Sequence, residues 1–340
     1  MLPRVRRRPI SLRRPTLVVA LAAALVGPAA CQDVRVYPLR DVVVCPAPAP
    51  VGYATLGAGT TGGGTGEVKV VRSADELEQA GATTGPLVIQ ISGMIALSGQ
   101  TDITSDKTIE GTGPGSGLTG GGLRLKQAHN VIIRNLVITK AVGTDAIELQ
   151  TAVNVWIDHC DLSSDLDNGK TYYDGLVDIV HASDDVTVSW TRFHDHYHSS
   201  LIGHSQDNAD EDTGHLTVTF YGNLFDNSQS QLPRVRFGKV HVLNNHFRDV
   251  SLYAIASVMG ANVMVERNVF QNVVLPMQTN YEDKVGGAIR AVENRFDAAS
   301  GASQIGTESL WSPPYDYAGA VLQPETVAAI VDACAGVPKP

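Results

Sequence analysis

The chain has 340 residues, of which 43% are hydrophobic and 18% charged, so a disordered polypeptide is excluded and a large core is possible. Lys and Arg number 26 against 35 Asp and Glu, a formal charge of -9, and 33 glycines with only 6% aromatic residues describe a turn-rich protein of β type. The acidic balance argues against a nucleic-acid partner.

The first segment, residues 1–31, reads as an export signal. Arg4, Arg6, Arg7, Arg8, Arg13 and Arg14 precede one apolar run, Thr16 to Val26, and the small residues Ala29 and Ala30 stand before Cys31. The run is shorter than the ~20 apolar residues of a bilayer span, and no other segment could cross a membrane. Removing the six arginines takes the charge from -9 to -15. Cys31 after Ala29-Ala30 resembles a bacterial lipoprotein cleavage site, from which Pro28 departs, so the expected product is a secreted protein with a lipid anchor through Cys31 as one fate. Arg13-Arg14, followed by Pro15, is a weak twin-arginine mark.

Export implies an oxidising compartment. Cys45 at the start of the mature chain and Cys334 near its end would suit a staple between the termini, whereas Cys160, inside an apolar strand pattern, is expected to be a buried thiol.

Residues 32–66, with Ala-Pro-Ala-Pro at 47–50 and a Gly/Thr run from Gly57 to Gly66, read as a leader and entry loop before one domain over 67–340. Ser73 to Ala80 has the Ser cap and early acids of one short helix. Strands dominate afterwards. Asn223-x-Phe225, Asn245-x-Phe247, Asn268-x-Phe270 and Asn294-x-Phe296 each follow a short alternating strand, at spacings of 22, 23 and 26 residues. Upstream, NVIIRNLVI from Asn130, NVWIDHCDL from Asn154 and DVTVSWTRF from Asp185 repeat the unit with longer insertions. About seven or more such rungs, with no helical pattern between them, predict an all-β, right-handed, single-stranded parallel β-helix. The stacked asparagines are expected to take the left-handed conformation and bond from rung to rung, with the phenylalanines inside.

Solenoids carry function on one lateral face, in loops that interrupt the period. Asp174 and Asp178, four apart in DGLVD, lie on such an interruption, and Asp145 precedes the strand of the rung before. Converging carboxylates call for a cation, for which Ca²⁺ is the oxygen-seeking choice; otherwise each is a solvated turn residue, and composition leaves both readings open. His194, His196 and His198 would share one face of an extended strand and invite zinc by residue type. No Cys or carboxylate spacing accompanies them, so wall and turn histidines are expected.

Several long motifs in order, NVWIDHC, YYDGLVDI, DDVTVSWTRFHDH, LIG, HLTVTFYGNLFDN, QLPRVRFGKVHVLNNHF and WSPPY, resemble the pectate lyases of the parallel β-helix class from about Val51 to Val337. The resemblance implies a lyase that cleaves α-1,4-linked galacturonan (polygalacturonate) by β-elimination with Ca²⁺, acting as a monomer. A groove of acidic charge needs cations to attract a polyanion. By motif, the implied calcium ligands are Asp145, eleven residues before the Trp of WIDH, and the pair Asp174 and Asp178. In the family's Arg-x-Pro-x-x-Arg segment the second arginine, which holds substrate, falls on Arg236, with Arg234 a further basic residue beside it.

Two positions depart from the family. The first arginine of that segment, the family's base, is Gln231 here, and a neutral amide is no base near any working pH. The family's lysine in His-x-Lys-x-x-Leu-Ile-Gly is His198, whose ordinary pKa near 6.5 makes it the candidate replacement base. Two functional classes follow: an active pectate-lyase-like enzyme with His198 doing the proton work, or a calcium-dependent uronan-binding protein that has lost turnover. A lyase acting on a different or methylated uronan would also account for an altered groove.

Overall fold

The computed structural model describes residues 43–338. The export signal, Cys31 and the first part of the leader lie outside the described residues. Three parallel sheets of ten, nine and eight strands run the length of the domain, an all-β right-handed parallel β-helix of about ten turns.

One turn shows how the sequence builds a rung. Val153–Asp158 lies in the ten-stranded sheet, Asp161–Ser163 in the nine-stranded sheet and Val177–Val180 in the eight-stranded sheet, before Asp184–Ser189 re-enters the first. Alternation sends Val155, Ile157, Leu162, Val177 and Ile179 inward, and all are fully buried. The intervening residues face outward, so the polar positions of the eight-stranded sheet form a continuous lateral surface.

The asparagine ladder is present with one correction. Asn223 Nδ2 donates to Asn245 Oδ1 (2.9 Å), Asn245 to Asn268 (3.0 Å) and Asn268 to Asn294 (3.0 Å). The left-handed conformation belongs to the residue before each ladder position, Gly222, Asn244, Arg267 and Glu293, rather than to the ladder asparagine. The turn is tight one residue early, which leaves each asparagine amide in line with the next rung. Phe193, Phe225, Phe247 and Phe270 stack inside at 4.6, 4.9 and 4.8 Å. Phe296 ends the stack 47% exposed, because its strand is the last of its sheet and no rung covers it.

Helix Ala74–Gly81, capped by Ser73, buries Leu77 and Ala80 against the first rungs. Helix Pro324–Cys334 packs Val327 and Val331 against Trp190 and Tyr221 on the outside. Cys45 and Cys334 form a disulfide with Cα atoms 5.5 Å apart, and Cys160 is a buried free thiol. The described part of the entry loop is ordered: Tyr53 N and Ala54 N donate to Thr219 Oγ1 and Thr187 Oγ1. No helix among the described residues is long and apolar enough to cross a membrane.

Candidate functional site

The outward face of the eight-stranded sheet brings together most of the residues singled out in the sequence. Asp145 precedes strand Ile147–Gln150, and its Oδ1 accepts from Gly175 N at 2.7 Å. Asp178 lies on strand Val177–Val180, and its Oδ1 accepts from Leu201 N at 3.0 Å. Asp174 is exposed at the end of the loop that enters this strand. Each of the three offers an oxygen within 4.8 Å of the others.

Gly175 makes this approach possible. A Cβ there would fall 2.2 Å from Asp178 Oδ1 and 2.9 Å from Asp145 Oδ1. None of the three carboxylates is in an ion pair with Lys or Arg among the described residues. Burial, then the charges of Asp178 and Asp174, push the Asp145 carboxyl up to about 10. Burial first, with Asp174 and Glu148 adding to it, pushes Asp178 up to about 8. Glu148 is the register partner of Asp178 one rung below. An all-oxygen set of this kind fits calcium, since oxygens on opposite sides of the ion stand about 4.6 to 5.2 Å apart at its usual bond lengths.

Two rungs further on, strand Arg234–Arg236 sends both arginines outward, one row apart on a regular strand. They converge on Asp283, which is nearly fully buried. Asp283 Oδ1 accepts from Arg236 Nε at 2.8 Å, and Oδ2 accepts from Arg234 Nε and Nη2. Arg236 Nη1 donates to Gly203 O (2.8 Å), and its Nη2 has no protein partner among the described residues. Arg234 is taken up further by Tyr281, whose carbonyl receives Nη2 at 2.9 Å and whose ring lies under the guanidinium.

Between the two groups, His198 closes strand Arg192–His198 beside Ser230, and Gln231 follows Ser230 in the left-handed conformation. Neither side chain makes a hydrogen bond among the described residues. Burial, with Lys170 adding to it, lowers the His198 imidazole below its ordinary value. Asp195, at φ 52°, breaks the alternation and takes His194 out of line with His196 and His198. His194 bonds Asp161 (2.8 Å) and Asp195 (2.6 Å), while His196 turns inward between Ser164 Oγ and Asp174 O, 2.6 Å from each. Burial depresses His196 to about 4, which keeps the ring neutral with Nε2–H donating to Asp174.

Gly175 and Asp283 carry no role in the sequence pattern alone, and His196 is the wall histidine the sequence predicts, with the added task of holding the Asp174 carbonyl. Gly175 stands inside DGLVD between two converging acids, the one signal that could have found it, whereas Asp283 lies 47 residues from Arg236 and no local signal ties them.

Residues 17–340 match the sequence profile of the family described as Pectate lyase. The chain belongs to the pectate lyase family. It is similar to pectate lyase plyB of Emericella nidulans, 45% identical over 225 residues that cover 66% of this chain and 69% of the relative. It is also similar to a probable pectate lyase A of Aspergillus flavus, 40% identical over 304 residues, 88% of this chain and 92% of the relative. Among solved structures, a pectate lyase of a Bacillus species in complex with trigalacturonate superposes with a TM-score of 0.78 at 30% identity, covering 85% of this chain and 99% of that one. Pectate lyase II of Xanthomonas campestris superposes at 0.72 with 25% identity, covering 85% and 98%. The chain is thereby a polysaccharide lyase by family.

Proposed function

We propose that this protein cleaves polygalacturonate by calcium-dependent β-elimination outside the cell. The observation that carries the proposal is the trio Asp145, Asp174 and Asp178, whose oxygens converge within 4.8 Å on the groove face without a cationic partner among the described residues. Asp145, Asp174 and Asp178 would hold the ion, whose chemistry there would be to neutralise a substrate uronate and so make its C5 proton more acidic. Asp145 and Asp178 are oriented for that task by Gly175 N and Leu201 N, and His196 fixes the backbone of Asp174. Arg236, held side-on by Asp283, offers Nη2 to the substrate carboxylate. His198, neutral through most of the working range, accepts the C5 proton. The disulfide agrees with an oxidising compartment.

The motif resemblance supports a second reading, a calcium-dependent pectate-binding protein without turnover, because it implies that Gln231 stands at the family's base position. A single assay separates them. Mature protein is mixed with polygalacturonate and Ca²⁺ while the absorbance of the unsaturated product is followed. Product formation that disappears in His198→Ala supports the enzyme; calcium-dependent binding with no product supports the binder; neither binding nor product rejects both.

A further inference from the structure

The outward row of the eight-stranded sheet runs Asp102, Arg124, Glu148, Asp178, Leu201, Arg234, Ala256, Gln278. Its two ends differ. Asp102 is exposed, and Arg124, Glu148 and Asp178 are half-buried with side chains reaching solvent. Ala256 and Val258 face outward in register with Arg234 and Arg236, yet both are 0% exposed, and Gln278 is 2% exposed.

The segment 279–286 accounts for the difference. It leaves strand Met277–Gln278 and returns across the sheet face. Tyr281 packs on Tyr253, before strand Ile255–Val258, with ring centroids 4.6 Å apart. Asp283 joins both arginines in the middle of the face. Lys284 N donates to Gln206 Oε1 at 3.0 Å and its ammonium pairs with Asp207. At the far edge Met259 N donates to Val285 O at 2.7 Å, and Gly286 pairs antiparallel with Val258. The strap is thus fixed at both edges of the sheet and at its centre. On its outer side Glu282 keeps a side chain 69% exposed, with its carboxylate 3.9 Å from Arg234 Nη1.

We propose that this strap is an end wall of the groove, and that the protein engages galacturonan at one chain terminus instead of along its interior. The inference rests on the pectate reading above. A polymer laid along the sheet enters over the Asp102 end, crosses the carboxylate trio and stops at Arg236, two rungs or about 10 Å beyond it, at the foot of the strap. That distance leaves room for about two sugar residues at one per rung. Arg236 Nη2, the part of that guanidinium without a partner among the described residues, stands where the terminal uronate comes to rest.

The test uses the mature protein carrying His198→Ala, with absorbance confirming that no unsaturated product forms, and unmethylated galacturonans of narrow, increasing length, with binding stoichiometry measured by calorimetry in Ca²⁺. Because geometry forbids a second protein from engaging the interior of an occupied chain, a tenfold longer chain binds no more protein and the amount bound per gram falls about tenfold. Protein bound per chain that grows with chain length overturns the wall while leaving the pectate reading intact. Absence of calcium-dependent binding at every length overturns the pectate reading and the wall with it.

Discussion

The two halves of the groove handle charge in opposite ways. At the trio, three carboxylates face one another with no arginine or lysine paired to them, and two are pushed far above the usual carboxylate range. At the strap, two arginines share one buried carboxylate, and only one guanidinium edge is left over. The first arrangement is incomplete and calls for a cation; the second is complete and acts as structure. A like-charged cluster without partners is therefore the better candidate for a cation site than a row of basic side chains is for an anion site, since the charge of the arginines here is already paired.

The largest effect should come from the neutral position between the halves. His198→Ala is expected to lower β-elimination on polygalacturonate by about 10² to 10⁴-fold, the usual contribution of a positioned base; for a protein that binds without turnover, Gln231→Arg is instead expected to raise it by the same factor. Strong wild-type turnover unchanged by His198→Ala would show that the proton acceptor lies elsewhere.

Next in size are the opposed stability effects of removing one acid from each half. Asp283→Ala leaves two buried arginines without their anion and should cost roughly 3 to 5 kcal/mol, read as a lowered denaturant midpoint at constant slope. Asp178→Asn should have the reverse sign in chelator, stabilising the metal-free protein by relieving like-charge repulsion. In Ca²⁺ it should forfeit the ligand-linked gain, about 2.7 kcal/mol at a hundredfold excess over Kd. Equal signs for the two variants would erase the distinction between the halves.

A pH dependence sharpens the same contrast. Asp145 and Asp178 have folded pKa values, about 10 and about 8, above their unfolded value. Such groups favour the metal-free fold at low pH, and that contribution is lost as pH rises through the folded values. The calcium-induced rise in Tm should therefore grow steadily from pH 5 to pH 8, as differential scanning calorimetry would record. A rise independent of pH would place the bound ion away from these carboxylates.

The fold was legible because each rung repeats the same local code. Asn223, Asn245, Asn268 and Asn294 recur at nearly one period, and inward Val, Ile and Phe alternate with outward polar residues along every strand. The trio was legible in part, since Asp174 and Asp178 flank the entry to one strand and Asp145 precedes its neighbour. The strap was not. Tyr281, Asp283 and Lys284 reach Tyr253, Arg236 and Gln206 across separations of tens of residues, and nothing in a loop reading TNYEDKV fixes its path. The histidine strand misled for a local reason: one left-handed residue, Asp195, takes His194 out of line with His196 and His198.

The smallest effect is on the pKa of His198, which senses both halves at once. Burial and the charges of Lys170 and Arg234 hold its imidazole below the ordinary value, while Asp174 works in the opposite direction by favouring the charged ring. Calcium held by the trio would neutralise Asp174 and add positive charge of its own, so the single upward influence from that side is lost. The His198 pKa should therefore fall further when Ca²⁺ is added, which proton NMR of the imidazole can follow whether or not the protein turns over substrate. In the enzyme the same shift would move the rising limb of the pH profile to lower pH with increasing calcium, since the neutral ring is the proton acceptor. Asp174→Asn should reproduce the lower value without metal and leave calcium with little further effect. A His198 pKa that rises with calcium, or ignores it, would mean that the ion sits beyond the reach of Asp174 and that the two halves of the groove are electrostatically separate.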